Sequence, residues 1–152
     1  MSALKRQRFS RMVDVAGKVP TVREAVARAE VELPAGVRAW YRDGELHSPK
    51  GPVFQTAVVA GTMAAKRTSE LVPLCHPLPV EACEVTVRRR GRRAVIEARV
   101  RTTHKTGVEM EALMAVSVAA LTVYDMCKAL APGTVIREIR LLEKTGGKRD
   151  YR

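Results

Sequence analysis

Asp125 and Lys128, in "TVYDMCKAL" at residues 122–130, stand three positions apart at the end of a long stretch with almost no other ionisable group. On a helix that spacing makes them neighbours on one surface. Two readings are open: a structural ion pair or solvent-exposed fringe of charge, or an acid and a base that face a substrate. The helix dipole favours Lys near a C-terminal end and disfavours Asp there. Asp125 therefore sits against its local field, a conflict that functional acids often show. A lysine can in turn donate a proton where burial or a cationic neighbour lowers its pKa.

Two further carboxylates lie up the same segment. Glu109 follows Thr106 by three residues, the spacing of a reciprocal helix N-cap. Glu111 precedes Asp125 by 14 residues, which is ~21 Å along one helix at ~1.5 Å per residue. The two cannot reach one small reacting centre within a single chain. Either the substrate is long, or one of them is supplied by another subunit.

Cys75 and His76 lie in "PLCHPLP", a loop fixed by three prolines. A thiolate–imidazolium nucleophile is one reading, but adjacent residues in an extended loop point apart. His76 as a substrate binder and His76 as a loop-stabilising residue both remain. A mononuclear metal site from Cys, His and Glu is disfavoured, since no CxxC or comparable ligand spacing appears. "KTGGK" at 144–148 reads either as a phosphate nest, with paired glycines turning successive N–H groups one way, or as a flexible tail.

The elements that position these groups follow from pattern. "TVREAVARAEVEL" opens with Thr21 and has Glu24 three residues on, which predicts a capped Ala/Val/Arg helix. "VRAWY" predicts a brief strand, and the β-branched "VFQTAVVAG" (53–61) a second one. "TMAAKRTSELV" predicts a helix halted by Pro73. "VEACEVTVRRR" and "RRAVIEARVRT" flank Gly91 as a β-hairpin with a basic tip. The longest helix runs from Gly107 to about Leu130 and ends at Pro132–Gly133. Its row Met110, Met114, Ser117, Leu121, Tyr124 and Lys128 shares one face, and a helix so apolar is expected to be buried on most sides, by the sheet and by a second subunit. "TVIREIRLLEK" returns as a strand. A mostly antiparallel sheet covered on one side by helices accommodates this order, an α+β fold.

Composition narrows the function. The 152 residues allow one domain, here 12–152 behind a loose basic arm at 1–11. No apolar run approaches the ~20 residues of a membrane span, and the N-terminus lacks the pattern of a signal peptide. Three cysteines, odd in number, fit a reducing compartment, hence the cytoplasm. A formal charge of +11 points to a polyanionic partner or to solubility alone. A basic nucleic-acid-binding module, carried by "KRQRFSR" and "RRRGRR", is the alternative to an enzyme. It lacks the aromatic interleaving and motifs of specific recognition.

The stretches "MVDV.GK", "KGPVF", "AAKRTSELVPLCHPLP", "KTGVEMEAL.AVSVAALTVYDMCKA" and "RLLEKTGGK" together resemble the MoaC family, the cyclic pyranopterin monophosphate synthases of molybdenum cofactor biosynthesis. The resemblance spans residues 12–148. It implies a ferredoxin-like α+β fold, a homohexamer built as a trimer of dimers, and active sites at the dimer interface. The implied reaction converts 3′,8-cyclo-7,8-dihydro-GTP, handed on by a radical SAM cyclase, into cyclic pyranopterin monophosphate and pyrophosphate, without a cofactor or metal. The implied catalytic residues are Asp125 and Lys128. The implied substrate-binding set is Arg23 in the first helix, Lys50, Lys66, Leu74, Cys75, His76, Glu109, Met110, Glu111, Lys144 and Lys148. No membrane and no specific nucleic acid are implied as partners. The chain departs from the family pattern in "DVAGK" for "DVSAK", "KGPVF" for "KGDVF", "KTGGK" for "KSGGK", and in His104 where the family usually has Gly.

Overall fold

A computed structural model describes residues 10–152; residues 1–9 of the expected basic arm lie outside the described residues. The elements are β1 (Thr21–Glu32), a 3-10 turn (Ala35–Trp40), β2 (Tyr41–Arg42), β3 (Glu45–Ser48), β4 (Gly51–Pro52), α1 (Val53–Lys66), α2 (Thr68–Leu71), β5 (Ala82–Arg90), β6 (Arg93–His104), α3 (Glu109–Cys127) and β7 (Val135–Thr145). The main sheet has the order β5-β6-β1-β7 and every pairing in it is antiparallel. Helix α1 carries the chain from β1 past β6 to β5, and α3 carries it from β6 past β1 to β7. These two split βαβ units are the ferredoxin-like arrangement of an α+β fold, as expected.

Two expected elements change type. "TVREAVARAEVEL" is not a helix but the strand β1, and Arg23 therefore lies on a strand. Ala25, Ala27, Ala29 and Val31 are fully buried, while Glu24, Arg28, Glu30 and Glu32 alternate onto the other face. That period of two outweighs the helical propensity of alanine. The expected cap is absent: the Thr21 hydroxyl donates to the Gly146 carbonyl at 2.8 Å, and Glu24 pairs with Arg99. Conversely, 53–61 is not a strand but the first part of α1, which buries Val53, Phe54, Ala57, Gly61, Ala64 and Ala65 at helical spacing. Its β-branched residues are tolerated because tertiary packing decides. The free N–H groups of its first turn are satisfied from a distance, since the Glu45 carboxylate accepts from Phe54 N (2.8 Å) and Gln55 N (3.0 Å) as well as from Leu46 N (2.7 Å). "VRAWY" is likewise mostly the 3-10 turn, with only Tyr41 in β2.

The helix expected over "TMAAKRTSELV" is divided between the end of α1 and α2, with a break at Arg67, while β5, β6, α3 and β7 match expectation in type. The hairpin β5–β6 turns at Gly91, whose φ of 57° suits glycine. Helix α3 starts without the Thr106–Glu109 cap, because Glu109 turns instead to Lys144. By length and composition α3 is apolar enough to cross a membrane, contrary to the sequence reading, yet half of that stretch is buried in the protein core. The buried side is Ala112, Ala115, Val116, Ala119, Ala120 and Val123. Within one subunit the row Met110 to Lys128 faces away from the sheet: Leu121 is 59 % and Tyr124 41 % exposed.

The helices lie close to each other because the seam is made of small residues. A Cβ added at Gly61 would stand 2.8 Å from the Ala115 carbonyl oxygen and 3.3 Å from the Ala119 methyl. Backbone cannot yield there as a flexible side chain would. Gly61→Val is therefore expected to lower stability by roughly 1–3 kcal/mol, read as a reduced midpoint in denaturant unfolding. An unchanged midpoint would show that the seam has slack.

Candidate active site

Helix α3 has a cluster of charged residues at each end. At its C-terminal end Asp125 accepts hydrogen bonds from Lys50 (2.7 Å) and Lys128 (2.9 Å). Lys50 reaches it from the turn between β3 and β4, whose Ser48 hydroxyl receives the Lys50 N–H at 3.1 Å. All three side chains remain about half exposed. The hydrogen bond from Lys50, then that from Lys128, holds the Asp125 carboxyl down at about 2. The bond to Asp125 raises Lys128 above its ordinary value. Asp125 is thus an ionised acceptor and Lys128 a protonated donor, so the pair is an ion pair that is also open to a ligand. Of the two sequence readings, the ion pair is present, and its half exposure leaves it accessible.

At the N-terminal end Glu109 meets Lys144 of β7 at 3.0 Å. Glu111, one residue into the buried side, is only 2 % exposed. Its Oε1 lies 4.0 Å from the Cys75 sulfur, and its Oε2 is buried with no partner among the described residues. Burial, with a smaller contribution from Glu109, pushes Glu111 up to about 7. Such a carboxyl can take or give a proton at neutral pH. Burial also raises the Cys75 thiol, with Glu111 and Glu109 adding to it. The His76 ring turns away from Cys75, its Nε2 2.7 Å from the Val13 carbonyl oxygen. This geometry does not make a thiolate–imidazolium pair.

Beside Glu109 opens a groove of about 770 Å³ whose cationic wall is Lys18, Arg23, Lys144, Lys148 and Arg149. Arg23 donates to the Lys105 carbonyl at 3.1 Å, while its Nε is buried without a partner among the described residues. Unsatisfied atoms on Arg23 and Glu111 are costly unless a ligand completes them. Gly146 (φ 89°) packs its backbone against Val22, which anchors the "KTGGK" turn on β1. It is not a loose tail: Lys144 and Tyr151 exchange backbone hydrogen bonds of 2.8 and 2.9 Å. One N–H of the expected nest is already engaged, since that of Gly146 donates to Asp150 at 3.3 Å.

The expected residues therefore divide. Asp125, Lys128 and Lys50 gather at one end of α3; Arg23, Cys75, Glu109, Glu111, Lys144 and Lys148 gather near the other. His76 sits beside the second group, under the segment that carries Val13. Lys66 ends α1, exposed, close enough to Cys83 for its charge to act on that thiol. Leu74 and Met110 are exposed apolar residues at the second end. Sequence reasoning missed Lys18 and Arg149, and also Lys105, which holds the Ala16 carbonyl at 3.2 Å. Lys18 and Lys105 carried a signal, as the last residue of "DVAGK" and the first of "KTGVEMEAL"; Arg149 did not. Among the described residues no three His, Cys, Asp or Glu side chains converge on a metal-sized site.

Residues 12–147 match the MoaC family. Over 140 residues the chain is 55 % identical to the cyclic pyranopterin monophosphate synthase of Xanthomonas oryzae pv. oryzae, covering 91 % of this chain and 85 % of that protein. It is 55 % identical over 141 residues to the protein of the same name from Heliobacterium modesticaldum, covering 91 % and 87 %. It is also 47 % identical over 145 residues to the molybdenum cofactor biosynthesis bifunctional protein of a Synechocystis strain, covering 92 % of this chain and 42 % of that one. The chain belongs to the MoaC family.

Glu111 makes stability depend on pH. Its folded-state pKa is raised from 4.5 to about 7, so the folded chain binds this proton more tightly than the unfolded chain does. Its effect on stability is fully favourable below about pH 4.5 and is lost as pH rises towards 7. Glu111→Gln is expected to remove that loss, up to roughly 3 kcal/mol at pH 8 for a shift of this size. Denaturant unfolding of both proteins from pH 5 to 8 measures it. Parallel profiles would show that Glu111 is not the titrating group.

Proposed function

We propose that this chain is a cyclic pyranopterin monophosphate synthase of molybdenum cofactor biosynthesis, converting 3′,8-cyclo-7,8-dihydro-GTP into cyclic pyranopterin monophosphate with release of pyrophosphate. Residues 12–152 act as one synthase domain in the cytoplasm, taking substrate from a preceding radical SAM cyclase. Family membership supports the reaction. The groove walled by Arg23, Lys144 and Lys148 supports a small, phosphorylated, purine-derived substrate.

The observation that carries the site is the division of its residues between the two ends of α3, ~21 Å apart. We assign each active site to two subunits. One supplies Asp125, Lys128 and Lys50; its neighbour supplies Arg23, Leu74, Cys75, His76, Glu109, Met110, Glu111, Lys144 and Lys148, with Lys66 at the margin. The outward apolar residues of the helical layer support such an interface. Val59, Met63 and Leu71 join Leu121 and Tyr124 as large exposed hydrophobics, an apolar surface that marks a contact. Assembly as a trimer of dimers would give six such sites. Within one, the arginine and lysines of the groove hold the phosphates. Lys128, kept protonated by Asp125, donates a proton or stabilises developing negative charge, and Glu111 exchanges a proton near neutrality.

Purified protein given the cyclised GTP substrate is expected to release cyclic pyranopterin monophosphate and pyrophosphate. No turnover from a folded, assembled protein would refute the reaction. Lys128→Ala should lower kcat by ~10²–10⁴-fold. Lys144→Ala and Lys50→Ala should mainly raise KM, because phosphate contacts made equally in ground and transition states act there. A Lys128→Ala protein with unchanged kcat would move that residue to the phosphate clamp.

The shared site has its own test. Asp125→Ala and Glu111→Ala subunits, each inactive alone, should regain about a quarter of full activity when mixed in one symmetric assembly, since one site of each mixed dimer is then intact. Mixed assemblies that stay inactive would refute the sharing while leaving the reaction standing.

A further inference from the structure

At the far end of the sheet from the basic groove, a second cavity of about 280 Å³ opens between the 3-10 turn and the β5–β6 hairpin tip. Its floor is apolar: Leu33, Val37, Leu46 and the ring of Tyr41. Its rim carries three guanidinium groups, those of Arg38, Arg89 and Arg92. The Arg89 guanidinium carbon lies over the Tyr41 ring, 4.6 Å from its centroid, and Arg89 is steadied by its bond to the Gly91 carbonyl at 2.9 Å. Arg92 contacts Glu32 at 3.6 Å, but Glu32 is already held at 2.7 Å by Arg137. Arg38 has no ion pair among the described residues. The nearby carboxylate of Glu45 is committed to the first turn of α1. Of the three rim arginines only Arg92 thus meets a carboxylate, one it shares with Arg137, around a floor that water solvates poorly.

We propose that this cavity is a second ligand site, for a compact organic anion with a flat apolar or aromatic body, such as an aryl phosphate. The flat body would rest on Leu33, Val37 and Leu46 beside the Arg89–Tyr41 stack. The anionic group would meet Arg38 and Arg92, whose planar forks suit phosphate or carboxylate oxygens. Mixed apolar floors with a few convergent polar groups are the usual form of small-molecule sites. The cavity shares no lining residue with the groove beside Glu109. Eight residues of β1, 25–32, lie between Glu24 of the groove and Leu33 of the cavity, on the order of 30 Å at ~3.3 Å per residue. Occupancy here therefore does not depend on the synthase assignment of that groove.

Trp40, the only tryptophan of the chain, ends the 3-10 turn that forms one wall and serves as a local reporter. The assembled protein is titrated with phenyl phosphate, with inorganic phosphate and benzyl alcohol as anion-only and ring-only probes, while Trp40 fluorescence is followed. Phenyl phosphate is expected to give a saturable change that both partial probes fail to match at equal concentration. Arg38→Ala, at an exposed position, and Arg89→Ala should each weaken it about tenfold, the scale of one charge-assisted hydrogen bond or stack. Lys144→Ala should leave it unchanged. No saturable change up to about 10 mM, a limit corresponding to negligible affinity, would overturn the proposal. So would equal responses from wild type and both arginine variants, or a response abolished by Lys144→Ala.

Discussion

Close approach of α1 to α3 is the constraint from which the rest of the architecture follows. Gly61 lets a helix backbone come up against the Ala115 carbonyl, and Ala119 continues the seam. Beneath the pair the sheet offers alanines too: Ala27 of β1 faces Ala98 of β6, and both are fully buried. With only two Phe and one Trp in the chain, there are few large side chains to prop the layers apart. Thin layers cost some apolar area per residue, yet they place helix ends in tight registration with the strand ends and loops beneath them. Lys50 reaches Asp125, and Lys144 reaches Glu109, only because the helical layer sits that low.

Charge is organised differently on the two sides of the sheet. The face away from the helices is tiled with opposite charges across neighbouring strands: Arg28 with Glu97, Arg93 with Glu30 at 2.5 Å, and Arg99 with Glu24. Cross-strand pairs of this kind add a little stability each and discourage misregister. Much of the acidic complement is used there or in structural roles such as that of Glu45. The positive excess is then left at the ends of the sheet, in the groove around Arg23 and at the hairpin tip. A formal charge of +11 reads as one property in the composition, but among the described residues two separate basic regions stand out in space.

Strong local signals made several elements legible in the sequence. Prolines fixed the "PLCHPLP" loop, Gly91 marked the hairpin turn, and the apolar run from Ala112 to Tyr124 marked α3. The strand β1 and the helix α1 were misread for one reason seen from two sides. Alanine on a strand looks helical until its alternation with Glu24, Arg28 and Glu30 is given more weight than propensity. Valines on a helix look extended until their packing against α3 is known. Of the candidate site, residue types were legible, and the separation of Glu111 from Asp125 followed from helix arithmetic. What could not be read was which lysine meets which carboxylate, because Lys50 and Asp125 are 75 residues apart. The lean of Val13 onto His76 has no sequence pattern at all.

The Glu45 carboxylate has an effect on Lys50, which it never touches. By bonding the amides of Phe54 and Gln55, nine and ten residues away, it closes the segment that contains the β3–β4 turn into a small ring. A ring of that length has few conformations left, so the freedom of the Lys50 backbone is surrendered when the chain folds and not when a ligand arrives. The ammonium then meets an incoming anion with only its own side-chain rotations to lose. A half-buried carboxylate at the base of a hairpin thus acts on binding entropy from a place where it cannot contribute to binding energy.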